Sequence, residues 1–313
     1  MGKIAFVFSG QGDQFPGMGK DLYEKYPVAK KIFDLCDDIS PGTSSQCFHG
    51  TEEELKETKN TQPCLFAMEL AAATVLIEKG IAPDVVAGFS LGEVVAATVS
   101  GAFDSETGFR LVCKRGELMQ SEAERFDTSM AAVVKLTPER VQEVCNKYSE
   151  VYPVNFNCPG QITVSGISSQ MTDFFADVKA AGGRAIPLKV KGAFHSPFMK
   201  AAAESFAEEL EKVETKERSI TLYSNMTAEV YTDDVVGLLS KQICSPVQWE
   251  KIIRNMIADG VDAFIEIGPG KTLTNMIKKI DAEVKAVSVN DYLAEVDRSE
   301  ERRVGKECRS RWS

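Results

Sequence analysis

The chain has 313 residues and a formal net charge of −10, which argues against nucleic acid as a general partner. It contains no run of about 20 apolar residues, so no membrane-spanning helix is expected. Its eight cysteines are scattered without a C-x-x-C pair or a Cys/His cluster at ligand spacing, which points to reduced thiols in the cytosol and away from a structural metal.

The length exceeds what one hydrophobic core usually organises, so a large α/β unit with a smaller one inserted or appended is expected. Lys3 to Phe8 reads as a first apolar strand and not as a signal peptide, because a Gly-rich loop, Ser9-Gly10-Gln11-Gly12-Asp13-Gln14, follows at once. Helical patterns are predicted over residues 20–38, 52–57 and 62–79, with Pro63 near the start of the last. A second strand, Val85-Val86-Ala87, runs into Gly88-Phe89-Ser90-Leu91-Gly92, and helices follow from Leu91 and over 105–124.

The middle of the chain changes pattern. Strands at 130–136, 152–157, 161–165 and 184–190 alternate with helices at 138–148 and 169–181. The order β-α-β-β-α-β is that of the ferredoxin-like split unit. Beyond it, helices at 197–213, 246–259 and 271–280 alternate with strands at 219–224, 262–267 and 284–289. Strands alternating with helices imply a mostly parallel sheet covered on both faces. The predicted organisation is therefore an α/β core formed by residues 1–127 and 191–297, interrupted by a ferredoxin-like subdomain at 128–190. Residues 298–313, RSEERRVGKECRSRWS, carry six basic and three acidic residues with no apolar periodicity. They read as a vector-derived tail, outside the fold.

Two glycine motifs fail on inspection. Gly10 and Gly12 follow a strand, but Phe15 stands where a dinucleotide fingerprint needs its third glycine. The loop fits an oxyanion donor centred on Gln11, or simply a turn that needs glycine; both readings stay open. Gly268-Pro269-Gly270-Lys271-Thr272 fails as a P-loop because Ile265 occupies the first glycine position.

Gly88-Phe89-Ser90-Leu91-Gly92 matches G-x-S-x-G in its confirming context, after a strand and before a helix. Ser90 is the candidate nucleophile, the Leu91 N–H a candidate oxyanion donor, and the following helix N-terminus favours an anion. The chain has only two histidines. His49 lies in a Gly/Ser/Thr-rich stretch, whereas His195 lies in a loop between a strand and a helix, where catalytic groups concentrate. The order Ser, acid, then a C-terminal His of the α/β-hydrolases is absent, which favours a Ser–His dyad.

Taken in order, several stretches resemble the malonyl-CoA:acyl-carrier-protein transacylases, the acyltransferases of fatty acid and polyketide synthesis. They are Phe8 to Gln14, Gly88 to Glu93, Arg115-Gly116 with Met119-Gln120, Asn155 to Gln161, Ala193 to Ser196, Ser245 to Trp249 and Glu266 to Gly270. The resemblance covers residues 3 to about 290 and implies an α/β-hydrolase-like core with a ferredoxin-like subdomain.

It implies Ser90 as nucleophile and His195 as base, Gln11 and the Leu91 N–H as oxyanion hole, and the backbone carbonyl of Gln248 as the group that orients His195. Arg115 would grip the malonyl carboxylate, Phe194 would exclude a 2-methyl branch, and Met119 and Asn157 would join them in binding substrate. A bidentate guanidinium suits that task, since acetyl-CoA would leave the buried arginine unpaired.

The implied activity is malonyl transfer from malonyl-CoA to the phosphopantetheine thiol of acyl carrier protein, in the cytoplasm, by a monomer without metal or redox cofactor. A basic rim of Lys189, Lys191 and Lys200 would receive those acidic partners. Two departures stand out: Phe89 replaces a common histidine, and Gly192 the first residue of an H-A-F-H pattern. A polyketide-type acyltransferase, an acyl-thioester hydrolase and a non-catalytic carrier-binding module are the alternatives.

Overall fold

A computed structural model describes residues 2–190 and 192–310. Strand β1 (Lys3–Phe8) leads into five helices, α1 (Lys20–Lys25), α2 (Pro27–Ile39), α3 (Thr43–His49), α4 (Glu52–Lys56) and α5 (Thr58–Glu78). Strand β2 (Val85–Gly88) precedes α6 (Gly92–Ser100) and α7 (Ser105–Ala123). The middle comprises β3 (Thr128–Val134), α8 (Pro138–Cys145), β4 (Val151–Cys158), β5 (Gln161–Ile167), α9 (Ser168–Ala180) and β6 (Arg184–Pro187). The remainder comprises α10 (Lys200–Leu210), β7 (Thr221–Leu222), α11 (Val235–Lys241), α12 (Trp249–Ala258), β8 (Val261–Ile267), α13 (Thr272–Ile280), β9 (Lys285–Ser288) and α14 (Val289–Ser310).

The strands form two sheets. The larger has the order β7-β2-β1-β8-β9, with every neighbouring pair parallel. The smaller, β4-β5-β3-β6, is antiparallel throughout. The alternation of β1 shows how the core is divided. Phe6 and Phe8 pack into the cluster formed with α5, α6, α7 and α10, while Ala5 and Val7 face α12 and α13 on the other side. A third cluster lies between the smaller sheet and α8 and α9, and includes the fully buried Phe174. The α/β class, the mostly parallel sheet and the split β-α-β-β-α-β unit all match the sequence reading.

Several boundaries differ from expectation, each for a local reason. The predicted helix over 20–38 is two helices, because Tyr26 precedes Pro27 and is extended (φ −116°, ψ 115°). Helix α5 starts at Thr58 and not at residue 62, so Pro63 lies inside it and not at its first turn. The early start is fixed by tertiary structure: the Thr58 N–H donates to Gln120 Oε1 on α7 at 2.8 Å. Helix α3 was not expected in its Gly/Ser/Thr-rich stretch; it is held by buried Thr43 and Cys47, and His49 ends it exposed.

Helix α14 runs on to Ser310, through most of the stretch set apart as a tail. Its Asp297 accepts from Lys25 Nζ at 2.5 Å, Tyr26 Oη at 2.6 Å and Lys79 Nζ at 3.1 Å, and these partners hold its carboxyl down at about 2. Among the described residues, no helix is long and apolar enough to cross a membrane. Cys36, Cys47, Cys64, Cys113, Cys145, Cys158 and Cys244 are free thiols.

Candidate active site

The site begins at the turn between β2 and α6. Ser90 has φ 55°, a left-handed conformation that a β-carbon disfavours. The flanking glycines explain how the turn closes. A Cβ on Gly88 would lie 1.9 Å from the Gly92 backbone, and one on Gly92 would lie 2.4 Å from the Phe8 carbonyl oxygen. Only glycine permits both approaches. The strained residue is held on both sides: its N–H donates to Asn225 Oδ1 at 2.7 Å, and its carbonyl accepts from Gln242 Nε2 at 2.6 Å. Asn225 also donates through Nδ2 to the Gly88 carbonyl.

His195 follows β6 in a loop and also has positive φ, at 61°. Its N–H donates to the Ile243 carbonyl at 3.1 Å, which pins the backbone beside the 3₁₀ turn Gln242–Cys244. The ring Nδ1 lies 2.9 Å from the Gln242 carbonyl oxygen and Nε2 lies 2.7 Å from Ser90 Oγ. A carbonyl can only accept, so Nδ1 carries the proton and Nε2 accepts from the Ser90 hydroxyl. Burial and the nearby Arg115 push the imidazole down to about 4, so it is neutral at physiological pH. The orienting carbonyl belongs to Gln242, not to Gln248 as the sequence reading had it. Gln248 starts α12 instead, and its N–H donates to the Asn225 carbonyl at 2.8 Å.

Arg115 reaches the same point from α7 and is fully buried. Nη1 donates to Gln62 Oε1 at 2.8 Å, and Nη2 donates to Gln242 Oε1 at 2.8 Å and to Ser90 Oγ at 3.3 Å. Gln242 thus contacts three members of the site: Arg115 and Ser90 through its amide, His195 through its carbonyl. Sequence reasoning missed it, along with Gln62 and Asn225. No motif marks Gln242, which lies six residues upstream of the matched Gln248.

Gln11, Gln62, Phe89, Ser90, Leu91, Met119, Phe194 and His195 line one pocket. Gln11 Nε2 donates to Thr58 Oγ1 at 3.3 Å. Among the described residues the backbone N–H groups of Gln11 and Leu91 have no protein partner, and Leu91 caps the start of α6. Both amides therefore remain available to an oxygen in the pocket. Asn155 and Thr163 of the smaller sheet form the opposite wall. Asn157 is buried beside them and donates to Thr163 Oγ1 at 3.2 Å, but Asn155, not Asn157, lines the pocket. Phe89 packs edge-on against Trp249, with centroids 5.5 Å apart.

The expected basic rim is not found in the neighbouring groove. Glu53, Glu57, Glu124 and Asp127 line it against Lys56 and Lys189. Lys200 points to Glu204 at 3.8 Å, and Lys191 lies outside the described residues.

Comparison with known proteins gives the geometry a family. Residues 5–307 match the acyl transferase domain model. The malonyl CoA-acyl carrier protein transacylase of Bacillus subtilis (strain 168) is 41% identical over 300 residues, covering 93% of this chain and 94% of that protein. The crystal structure of the protein of that name from Clostridium perfringens superimposes with a TM-score of 0.91 at 35% identity, covering 97% of this chain and 99% of the other. A malonyl-transacylase solved in complex with a type II polyketide synthase acyl-carrier protein gives a TM-score of 0.89 at 34% identity, covering 92% and 96%. With Ser90 and His195 paired beside a buried arginine, and with this likeness over nearly its whole length, the chain belongs to the acyl transferase domain family.

Proposed function

We propose that the chain is a malonyl-CoA:acyl-carrier-protein S-malonyltransferase of fatty acid biosynthesis, acting through a malonyl ester on Ser90. One observation carries the reading: a fully buried guanidinium lies 3.3 Å from the hydroxyl that His195 is placed to deprotonate. A cation there has a use when the acyl group brings a carboxylate to it.

In the first half-reaction, Ser90 Oγ attacks the thioester carbon and its proton passes to His195 Nε2. The Gln242 carbonyl holds Nδ1–H and keeps the ring in the required tautomer. The amides of Gln11 and Leu91 receive the oxyanion, and CoA leaves as the thiol after taking the proton from His195. In the second half-reaction, the carrier's phosphopantetheine thiol gives its proton to His195 and attacks the ester. Collapse returns Ser90.

Arg115 holds the malonyl carboxylate throughout. Pairing it there removes much of the positive field that lowers the His195 pKa, so the base strengthens when the correct substrate is seated. Phe194 and Met119 close the pocket around the acyl group. The chemistry uses no metal or redox cofactor. We place the enzyme in the cytoplasm, acting as a monomer.

An intact mass spectrum after mixing with malonyl-CoA alone tests this. A malonyl adduct is expected, absent from Ser90→Ala and weak with acetyl-CoA. Steady CoA release without adduct would make the protein a thioester hydrolase; neither adduct nor release would overturn the malonyl assignment. The likeness to a transacylase solved with a polyketide carrier keeps a second reading in view, service to a polyketide-type assembly line. The carrier that discharges the adduct separates the two.

A further inference from the structure

Arg115 poses a charge problem in the free enzyme. Its hydrogen-bond partners, Gln62, Gln242 and Ser90, are all neutral, and its Nε has none. A buried cation compensated only by dipoles is costly. Burial lowers its pKa to about 10, and the one charged group that opposes this effect is Glu93.

Glu93 lies in the first turn of α6, three residues after Ser90, and is fully buried. Its Oε1 accepts from the Asn225 N–H at 2.8 Å and from Tyr231 Oη at 2.8 Å. Its Oε2 has no hydrogen-bond partner of good geometry. The Gln242 side chain lies against this carboxylate while its Oε1 accepts from Arg115, so one neutral amide separates the two charges.

We propose that Glu93 is the counter-charge of Arg115 in the free enzyme, and that it takes up one proton from solvent when a carboxylate-bearing acyl group binds. Glu93 thereby becomes a specificity-determining residue that acts through Arg115. The inference rests on the malonyl reading above. Above about pH 7 the free site holds one cation and one anion and is neutral. A malonyl carboxylate adds a second anion, and protonating Glu93 restores neutrality. An acetyl group adds none and calls for no proton. Oε2 is the open atom for it. When the malonyl group leaves, the proton returns to solvent.

The groups that face Glu93 are Arg115 from α7, Tyr231 and Asn225 from the segment between β7 and α11, and Gln242. Burial raises the Glu93 pKa to about 7, while Asn225, Tyr231, Gln242 and Arg115 pull it down. His195 stays neutral above about 4. Another buried carboxylate, Glu69, bonds Ser9 and is influenced by Asp13 and Glu266 instead.

The sign follows from linkage. Below about 7, Glu93 is already protonated and the carboxylate binds without proton uptake. Above that, binding must draw a proton, so malonyl affinity falls as pH rises, by at most about tenfold per pH unit.

The test is calorimetric. The Ser90→Ala chain, which leaves thioesters intact, is titrated with malonyl-CoA and with acetyl-CoA from about pH 6 to about pH 9, spanning the ordinary histidine-to-thiol range. Two buffers of different ionisation enthalpy report protons directly, and this arm needs no change at Glu93. Malonyl-CoA is expected to take up a fraction of a proton approaching one at about pH 8, in excess over acetyl-CoA.

In a Ser90→Ala/Glu93→Gln chain the excess vanishes, and at about pH 8 malonyl-CoA binds roughly 3- to 10-fold tighter. Equal proton uptake for the two thioesters overturns the proposal, as does a Glu93→Gln chain that weakens both alike at every pH. If malonyl-CoA shows no preference over acetyl-CoA at any pH, the malonyl reading fails too. That result is distinct, because the preference itself is missing and not its pH dependence.

Discussion

The two walls of the pocket are built differently. On the core wall, the reacting groups are held by neighbours on every side: Ser90 through Asn225, Gln242 and His195, and His195 through Gln242 and Ile243. On the wall contributed by the smaller sheet, Asn155 Oδ1, Asn157 Oδ1 and Ser165 Oγ are buried without a hydrogen-bond partner. Asn155 and Thr163 are paired across β4 and β5 and face the pocket together. Buried polar atoms normally find partners, and of these open ones Asn155 Oδ1 belongs to a residue that lines the pocket, where a ligand can complete it. The reacting serine and histidine on the core wall are held before substrate arrives, whereas Asn155 on the other wall is left open to it.

If the core wall is preorganised for chemistry, its substitutions should act on turnover. The largest effect is expected at His195: His195→Ala should slow malonyl transfer by roughly 10²- to 10⁴-fold, measured as CoA release in the first turnover. In the intact enzyme kcat/KM should stay level on the acid side and fall only as pH drops through about 4, where the imidazole protonates. The same depressed pKa stabilises the fold above the ordinary histidine value near 6.5, and that contribution is lost as pH falls toward 4. A thermal melt series across that range reads it.

Arg115→Ala comes next, with about 100-fold lower kcat/KM for malonyl-CoA and acetyl-CoA acylation little changed, so that selectivity collapses; adduct formation with each thioester measures it. Asn225→Ala releases the elbow. We expect about a tenfold fall in kcat together with about 1–3 kcal/mol of lost stability, read by denaturant titration beside the kinetics. The smallest effect belongs to the other wall. Asn155→Ala should raise KM a few-fold with no loss of kcat or of stability, since no protein partner is stranded. A kcat effect there as large as at Asn225 would erase the contrast between the walls.

What could be read in the chain follows the same division. G-x-S-x-G is legible because Gly88 and Gly92 are demanded by backbone approaches that no other residue survives. The β-α pattern is legible because β1 sends alternate residues into two different cores. Gln242 was not legible. Its carbonyl orients His195, and every residue has a carbonyl; what selects this one is a 3₁₀ turn fixed by tertiary packing. The N-terminal start of α5 was hidden for a related reason, since Gln120, far along the chain, holds it. Of the lysines near His195 in sequence, Lys189 lines a groove with several acidic residues and Lys200 turns to Glu204 on its own helix, so closeness in sequence alone does not gather them into one rim.

The smaller sheet enters and leaves the core through adjacent strands. β3 and β6 pair antiparallel, Ala131 against Pro187 and Val134 against Arg184, so the points of entry and exit lie side by side. A segment whose two ends meet can be lengthened, shortened or exchanged without stretching the scaffold that carries it. The fold is thus modular in an evolutionary sense: the smaller sheet's wall of the pocket can diversify, while the serine and its base inherit an undisturbed frame.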